Sequence, residues 1–587
     1  AVSRHPPPRL GMEAQSIGQA FEAQLDDRSQ ARFERTRLLR LELLDRLNKA
    51  PDIPGDSTLA RHLDIIRQQY EALTRLEAYG FGRYEPGMAR PYAVDQLSGA
   101  WVDVPDLLIS SHPLGSFDDA DDYLVRLDAL GGAVADEKRR LVSEAATGIL
   151  PPDFVLTRLE QRLREFANQP LDTHPLVTRL DAVIGGLPAD ETHSAAAYRA
   201  SVRRVMRQRV IPAYAEFADT VAELALEASS SPGLNVPSAD GSNASVGSLY
   251  YADVLAFYTA PDTDPDFLHR QGLGAVADIK AEIQDAFASI GLEGASPPEL
   301  LELLAASPSE SHAPTAPADP EAEISPEDEA RARVLARLEE KAADARRVLP
   351  GLLQAPPQAS LVVTRMPSYK ETAFKGASYV AATANGSSPA LVQVNLSDLN
   401  EWPEFTLATL IHHEGIPGHH VESASASETA RLPLLRQMIW DTAYGEGWAV
   451  YGEDLADTAG LYADDPLGRI GYLQSLLFRA ARLVVDTGIH AKGWSYEEAV
   501  DYLTDTTGFP RAAMAEEVAR YAVWPGQASA YFYGRHRILD MRTRAEAVLT
   551  GSFDERGFNS AVLTGGPRPL SMVEQDIEAW YADRLER

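Results

Sequence analysis

The sequence predicts a mostly α-helical protein, a large helical array with one small β-sheet, on three observations. Long stretches carry apolar residues at three- and four-residue spacing with charges between them, the mark of amphipathic helices. Only three short runs, all late in the chain, are β-branched and bounded by turn residues. With 587 residues, 45% of them hydrophobic, the chain can bury a large core.

In chain order, helices are predicted over 13–48, 56–78, 117–147, 153–168 and 191–228. The segment SSSPGLNVPSADGSNASVG (229–247) has loop composition, after which YYADVLAFYTAPDTDPDFLHRQGL returns to helix, turn and helix. Residues 305–330, rich in Pro, Ala, Ser and acids, read as an exposed linker or insertion between an N-terminal helical domain (1–304) and a C-terminal domain (331–587). SLVVTRMP (360–367), ASYVAAT (377–383) and ALVQVNL (390–396) are predicted strands, and helices follow to the end. No repeat is evident at periods of 20–50 residues.

Composition narrows the chemistry. A net charge of −32 repels nucleic acid and anionic membrane surfaces at long range, so neither is an expected partner. There is no cysteine, which rules out thiol catalysis and leaves any metal to His, Asp and Glu. No apolar run is long enough to span a membrane. The chain opens on Ala1 and a polar, proline-rich stretch, as after removal of a leader; with the absence of cysteine, this favours an extracytoplasmic compartment.

One stretch concentrates metal chemistry. IHHEGIPGHH (411–420) holds four histidines and a glutamate, and TLATLIHHEGI continues a helical pattern from Phe405. His413 and His419 stand six residues apart, which on a regular helix is ~120° away from a common face and a rise of ~9 Å. They could not share an ion there. Pro417 removes a backbone donor and clashes with the carbonyl of His413, while Gly418 tolerates unusual dihedrals. The expectation is therefore a bulge or kink that loops out two residues and restores the i, i+4 relation.

A third ligand is expected on the segment WDTAYGEGWAVYGEDLAD (440–457), which is helical in pattern despite Gly445, Gly447 and Gly452. Each interior glycine costs ~1 kcal/mol relative to alanine, so another helix should pack very close. Glu446, 27 residues after His419, is the first choice of ligand. Glu453, on the same face, is the second choice, or supports a ligand histidine from behind.

Together these residues resemble the DUF885 family of bacterial proteins, which are regarded as zincin-like metallopeptidases. The signature HEGIPGHH stands intact at 413–420, EGWAVYGE at 446–453 extends the likeness, and YAVWPGQASAYFYGR (521–535) resembles the family's PGQA and Tyr-x-x-Gly segment. Weaker likenesses at 91–92, 123–127, 148–156 and 249–259 suggest nearly full-length coverage. The resemblance implies a mostly helical fold with a small sheet beside a zincin-like metal helix and a deep central cleft. The family pattern has a glutamine where this chain has Glu422, a departure that makes Glu422 a competing ligand or an orienting group.

The expected function is a zinc-dependent peptidase acting on short peptides, with Zn²⁺ held by His413, His419 and Glu446. Glu414 is the expected general base. Tyr531, matching the family tyrosine, is the first choice to stabilise the oxyanion, with Tyr533, Arg520 and Gln527 as alternatives. The strand ALVQVNL is read as an edge able to pair with an extended peptide, with Tyr379 or Asn395 touching substrate. A zinc hydrolase of a non-peptide amide or ester is the alternative. An inactive zincin-like binding protein is a third reading, disfavoured by the intact Glu414.

Overall fold

The computed structural model describes residues 23–49, 58–187, 194–234, 246–307, 325–371, 375–382, 388–429 and 432–586. The protein is mostly α-helical. Of the helix expected over 13–48, Gln30–Asn48 (α1) forms, beginning where Ser29 caps it, residues 23–29 are not helical, and residues 13–22 lie outside the described residues. Thr58–Glu77 (α2), Phe117–Ala145 (α3) and Asp153–Asn168 (α4) match their predicted spans closely. α3 starts where it does because Ser116 and Asp119 cap it reciprocally, each side chain bonding the other's backbone.

The single helix expected over 191–228 is divided. Ala195–Val205 passes through a π-helical turn, Met206–Val210, into Ile211–Ala225 (α5). Pro212 lacks the N–H that would bond the Gln208 carbonyl and its ring crowds that oxygen, so the wider turn absorbs the mismatch. α3, α4 and α5 share a core of their own, with Tyr123, Leu127, Leu159, Val202 and Phe217 fully or nearly fully buried.

A larger core crosses the expected domain division. Tyr250, Leu255 and Ile283 are buried in one cluster with Trp448, Leu473, Val484, Phe532 and Ile538. The helix Pro265–Ser289 (α6) presents Leu268, Val276, Ile279, Ile283 and Phe287 to that core, so the helical stretch 246–305 shares the core of the C-terminal body. The division at 305–330 is thus not a boundary between cores. Within that stretch Pro326 already opens a long helix, Pro326–Leu352 (α7), and 308–324 lie outside the described residues, as do 235–245 of the predicted loop.

All three predicted strands form. A short ribbon, Arg83–Glu85 (β1) with Met88–Arg90 (β2), precedes them. Leu361–Arg365 (β3), Ala377–Val380 (β4) and Ala390–Val394 (β5) make a sheet in the order β3-β5-β4. β5 runs parallel to β3, with Leu361 opposite Ala390, and antiparallel to β4, with Tyr379 opposite Val392. This corrects the expectation for ALVQVNL, which is the central strand with a neighbour on both sides; the edges are β3 and β4. The alternate residues Ala390, Val392 and Val394 are fully buried, Val392 and Val394 against Val334, Leu338, Leu407 and Ile411.

The C-terminal helices that carry the signature residues are Leu407–Glu414 (α8), His419–Thr429 (α9), Thr442–Thr458 (α10), Pro466–Lys492 (α11), Arg511–Val523 (α12) and Gln527–Leu549 (α13). The close helix expected from the glycines of α10 is α13. At Gly447 an added Cβ would stand 2.6 Å from the Cα of Gly534, and at Gly534 one would stand 2.7 Å from the Cα of Gly447. Two backbones cannot part locally, so Gly534→Ala is expected to cost ~1–3 kcal/mol, read as a lower midpoint of denaturant unfolding. Gly274→Ala in α6, where nothing lies within 4 Å, serves as the control and is expected to be neutral or stabilising.

Candidate metal centre

The two predicted histidines meet by a break in the helix rather than a bulge. α8 ends at Glu414, residues 415–418 turn, and α9 begins at His419. Gly418 N–H bonds the His412 carbonyl at 2.9 Å and His420 N–H bonds the Gly415 carbonyl at 3.0 Å, so the turn folds back on the end of α8. Only glycine fits at 418, since a Cβ would run into the backbone of His413. The result places the His413 and His419 rings edge to face, 5.0 Å apart.

α10 holds this turn from the other side. Trp448 Nε1–H donates to the Pro417 carbonyl at 3.0 Å. At Gly452 a Cβ would sit 3.1 Å from the Gly418 nitrogen, so the bare backbone lets α10 lie against the turn. The same helix then delivers Glu446: its Oε2 is 3.2 Å from His419 Nε2 and 3.6 Å from His413 Nε2.

These separations suit a shared ion. Bonds of ~2.0–2.2 Å in tetrahedral geometry put neighbouring donor atoms ~3.4 Å apart, and the observed pair distances bracket that figure. Glu446 Oε2 is buried with no hydrogen-bond partner, an arrangement costly for a carboxylate unless a cation completes it. His413, His419 and Glu446 form the one group of three potential ligands found among the described residues whose donor atoms lie within 4.8 Å of one another. Two histidines and one carboxylate are a donor set zinc accepts, so the residues fit the ion.

Glu453, the second choice, stands behind His413 and outside that group. It accepts from His413 Nδ1 at 2.9 Å, from Ser475 Oγ at 2.7 Å and from Thr409 Oγ1. With the ring proton fixed on Nδ1, the Nε2 lone pair faces Glu446. Burial opposes ionisation of Glu453, but Arg479 and His413 outweigh it and hold the carboxyl down to about 2. Glu453→Gln is expected to weaken metal affinity ~10- to 100-fold, measured by competition with a chelating dye. Glu422 is fully buried and lies outside the cluster, its charge felt by Tyr444.

The metal-free site has a definite electrostatic sign. Burial disfavours a charged His413, yet Glu446 and Glu453 overcome it and push the ring up to about 9. Burial likewise opposes the Glu446 carboxylate, and the two histidines hold it well below the usual range. A raised histidine stabilises the metal-free fold fully below its ordinary pKa of 6.5, and that contribution is lost as pH rises through about 9. The thermal midpoint of metal-free protein is therefore expected to fall between pH 6.5 and 9, while zinc, competing with the proton, gains affinity over the same window. Scanning fluorimetry with and without zinc across that range measures both.

Glu414 closes the last turn of α8 beside the cluster. Burial raises its pKa, and the nearby His419 and His413 pull it back. The backbone of Tyr379 on the edge strand β4 also lowers it. The Tyr379 ring packs edge to face on His420 at 5.9 Å, with its hydroxyl 3.4 Å from His420 Nδ1. Tyr531 stacks on His413 with ring centres 6.4 Å apart. Gln527 Nε2–H reaches the Tyr531 hydroxyl at 3.3 Å, and Arg520 donates to Gln527 Oε1 at 2.7 Å.

Two sequence candidates lie elsewhere. Asn395 is fully buried; its amide donates to the Glu371 carbonyl at 2.9 Å and its oxygen accepts from Ser397 N–H and Oγ–H. It fixes the end of β5 and is not placed to touch a ligand. Tyr533, two residues from Tyr531 and so on another face of α13, is directed toward Thr263 and Arg537. Cavities of about 430 and 260 Å³ lie away from the cluster, the first lined by residues such as Tyr92 and Leu234, the second by Tyr250 and His490.

Several supporting residues were missed by the sequence reading. Trp440 lays its indole over Gly445 and against His419, ring centres 6.1 Å apart. Asp486, fully buried, accepts from Gly526 N–H, Ser529 and Tyr251 and so sets the turn that leads into Gln527 and Tyr531. The glycine at 445 is the only local signal for the first; the second joins helices too far apart in sequence to leave one.

Fold and site define a helical protein with a buried cluster of two histidines and one glutamate under a small sheet. Residues 12–577 match the family described as "Bacterial protein of unknown function (DUF885)", and the chain belongs to that family. It is similar to a crystal structure described as a putative lipoprotein from Colwellia psychrerythraea, at 27% identity and a TM-score of 0.90 over 98% of this chain and 95% of that one. A protein of the same description from Shewanella oneidensis, of unknown function, shares the fold at 16% identity and a TM-score of 0.67, over 94% of each chain. Comparison with curated proteins finds no match.

Proposed function

We propose that this chain is a zinc-dependent peptidase that hydrolyses short peptides. The observation that carries the reading is the donor cluster of His413, His419 and Glu446, with Glu446 Oε2 at the distance of a tetrahedral neighbour from both ring nitrogens and Glu414 beside it. The chemistry a zinc ion supplies in such a site is Lewis acidity toward a carbonyl oxygen and acidification of water near neutral pH.

This chain's residues supply the rest. β4 offers an edge on which an extended peptide can add as a further strand. Glu414 takes a proton from the attacking water and passes it to the leaving amine. Water's oxygen joins the acyl carbon, the C–N bond breaks, and both protons are accounted for in the amine and acid products. Tyr531, oriented by Gln527 and stacked on His413, donates to the developing oxyanion. Tyr531→Phe is expected to lower kcat ~100- to 1,000-fold with KM nearly unchanged, and steady-state kinetics on a fluorogenic peptide checks it.

The lipoprotein description of the Colwellia psychrerythraea relative supports an extracytoplasmic location. No described helix is long and apolar enough to cross a membrane. Fractionation of cells producing the full-length protein tests this, a purely cytoplasmic protein being the contrary result.

A further inference from the structure

Two arginines, Arg482 and Arg520, gather at Tyr531 beyond the metal cluster, and a third, Arg479, lies on the same helix as Arg482. Arg482 on α11 places its guanidinium carbon 4.8 Å from the centre of the Tyr531 ring and 4.2 Å from that of Phe478. Arg520 on α12 reaches Tyr531 through Gln527. Arg479, one turn before Arg482, donates to Ser475 Oγ at 2.7 Å and stands 3.8 Å from Glu453.

The local charge is not balanced. Glu517 alone accepts from both Arg482 and Arg520, at 2.9 Å each. Glu453 is already committed to His413, Thr409 and Ser475. Arg479 Nε is buried and lacks a hydrogen-bond partner. Glu446, whose charge also reaches Tyr531, belongs to the metal cluster, so three fixed cations face two other carboxylates, in a chain whose net charge is −32. The three side chains keep 10–16% of their surface open.

Resting on the peptidase reading, we infer that this arginine wall binds the free C-terminal carboxylate of the substrate peptide, with Arg482 and Arg520 as the principal partners. Arg482 Nε and Nη2 are taken by Tyr521 and Glu517, and Arg520 Nη1 and Nη2 by Gln527 and Glu517, so Arg482 Nη1 and Arg520 Nε are the donors left to meet a carboxylate's two oxygens. A peptide ending in a neutral amide leaves the surplus charge uncompensated in a partly buried place, so the wall selects acids over amides. Distance then limits which bond is cut. Tyr531 lies 6.4 Å from the His413 ring and Arg482 4.8 Å from Tyr531, while an extended residue spans ~3.3–3.6 Å. The carboxylate is thus anchored within about three residues of the scissile bond, and the products are short C-terminal fragments.

The test compares matched peptides of five residues that differ only in a free or an amidated C-terminus. Their binding to full-length, zinc-loaded Glu414→Gln protein is measured by calorimetry and their cleavage by the unsubstituted protein by mass spectrometry. The expected result is ~10- to 100-fold tighter binding of the free acid, the range for a hydrogen-bonded charge pair. In Arg482→Met combined with Glu414→Gln the acid-to-amide ratio is expected to fall to within about threefold of unity, a ratio that a general loss of folded protein does not change. Equal binding of acid and amide, or no binding of either, overturns the inference. Selective binding of the acid without cleavage by the zinc-loaded protein upholds the carboxylate site and overturns the peptidase reading instead.

Discussion

Replacing Glu446 with alanine is expected to abolish stoichiometric zinc retention. Glu446 Oε2 is the atom that faces both imidazole nitrogens, at 3.2 and 3.6 Å. Removing it leaves two histidines, fewer than the three protein ligands of a catalytic zinc site. Glu453 cannot move in to replace it, because His413, Ser475 and Thr409 hold its oxygens behind the ring. The loss should therefore exceed the ~10- to 100-fold that removal of a supporting residue costs. Metal analysis after dialysis, with His413→Ala and His419→Ala in parallel, measures it. Full zinc and full activity in Glu446→Ala would show the ligand assignment to be wrong.

Glu414→Gln is expected to separate binding from chemistry. Glutamine preserves the shape of the side chain and can still accept a hydrogen bond. It cannot take a proton from water. Zinc content should stay at one ion per chain while kcat falls ~100- to 10,000-fold, the range for loss of a general base. KM is expected to change little, since Glu414 works on the reacting atoms. A variant with unimpaired turnover would remove Glu414 from the mechanism.

Much of this site could be read from sequence because its parts are local. HEGIPGHH and EGWAVYGE each carry their own logic: Gly418 where the turn doubles back, Trp448 where it is pinned, Gly447 and Gly452 where backbones touch, and Glu446 and Glu453 a turn-multiple apart on one helix face. What the sequence did not show depends on pairing between distant segments. The order β3-β5-β4 puts the strand nearest the metal helix in the middle of the sheet, and periodicity carries no information about which neighbour a strand chooses. The core shared across residue 305 was hidden for the same reason, because a low-complexity stretch marks a change in composition and not a boundary between cores. Asn395 looked available because it ends a strand; its hydrogen bonds to Glu371 and Ser397 come from the fold around it.

The most direct test of the peptidase reading is digestion of a mixed synthetic peptide library by the zinc-loaded protein, read by mass spectrometry with Glu414→Gln as the control. The account predicts cleavage of short peptides that disappears in the control. Intact peptides in the presence of protein shown to hold one zinc ion per chain would contradict it.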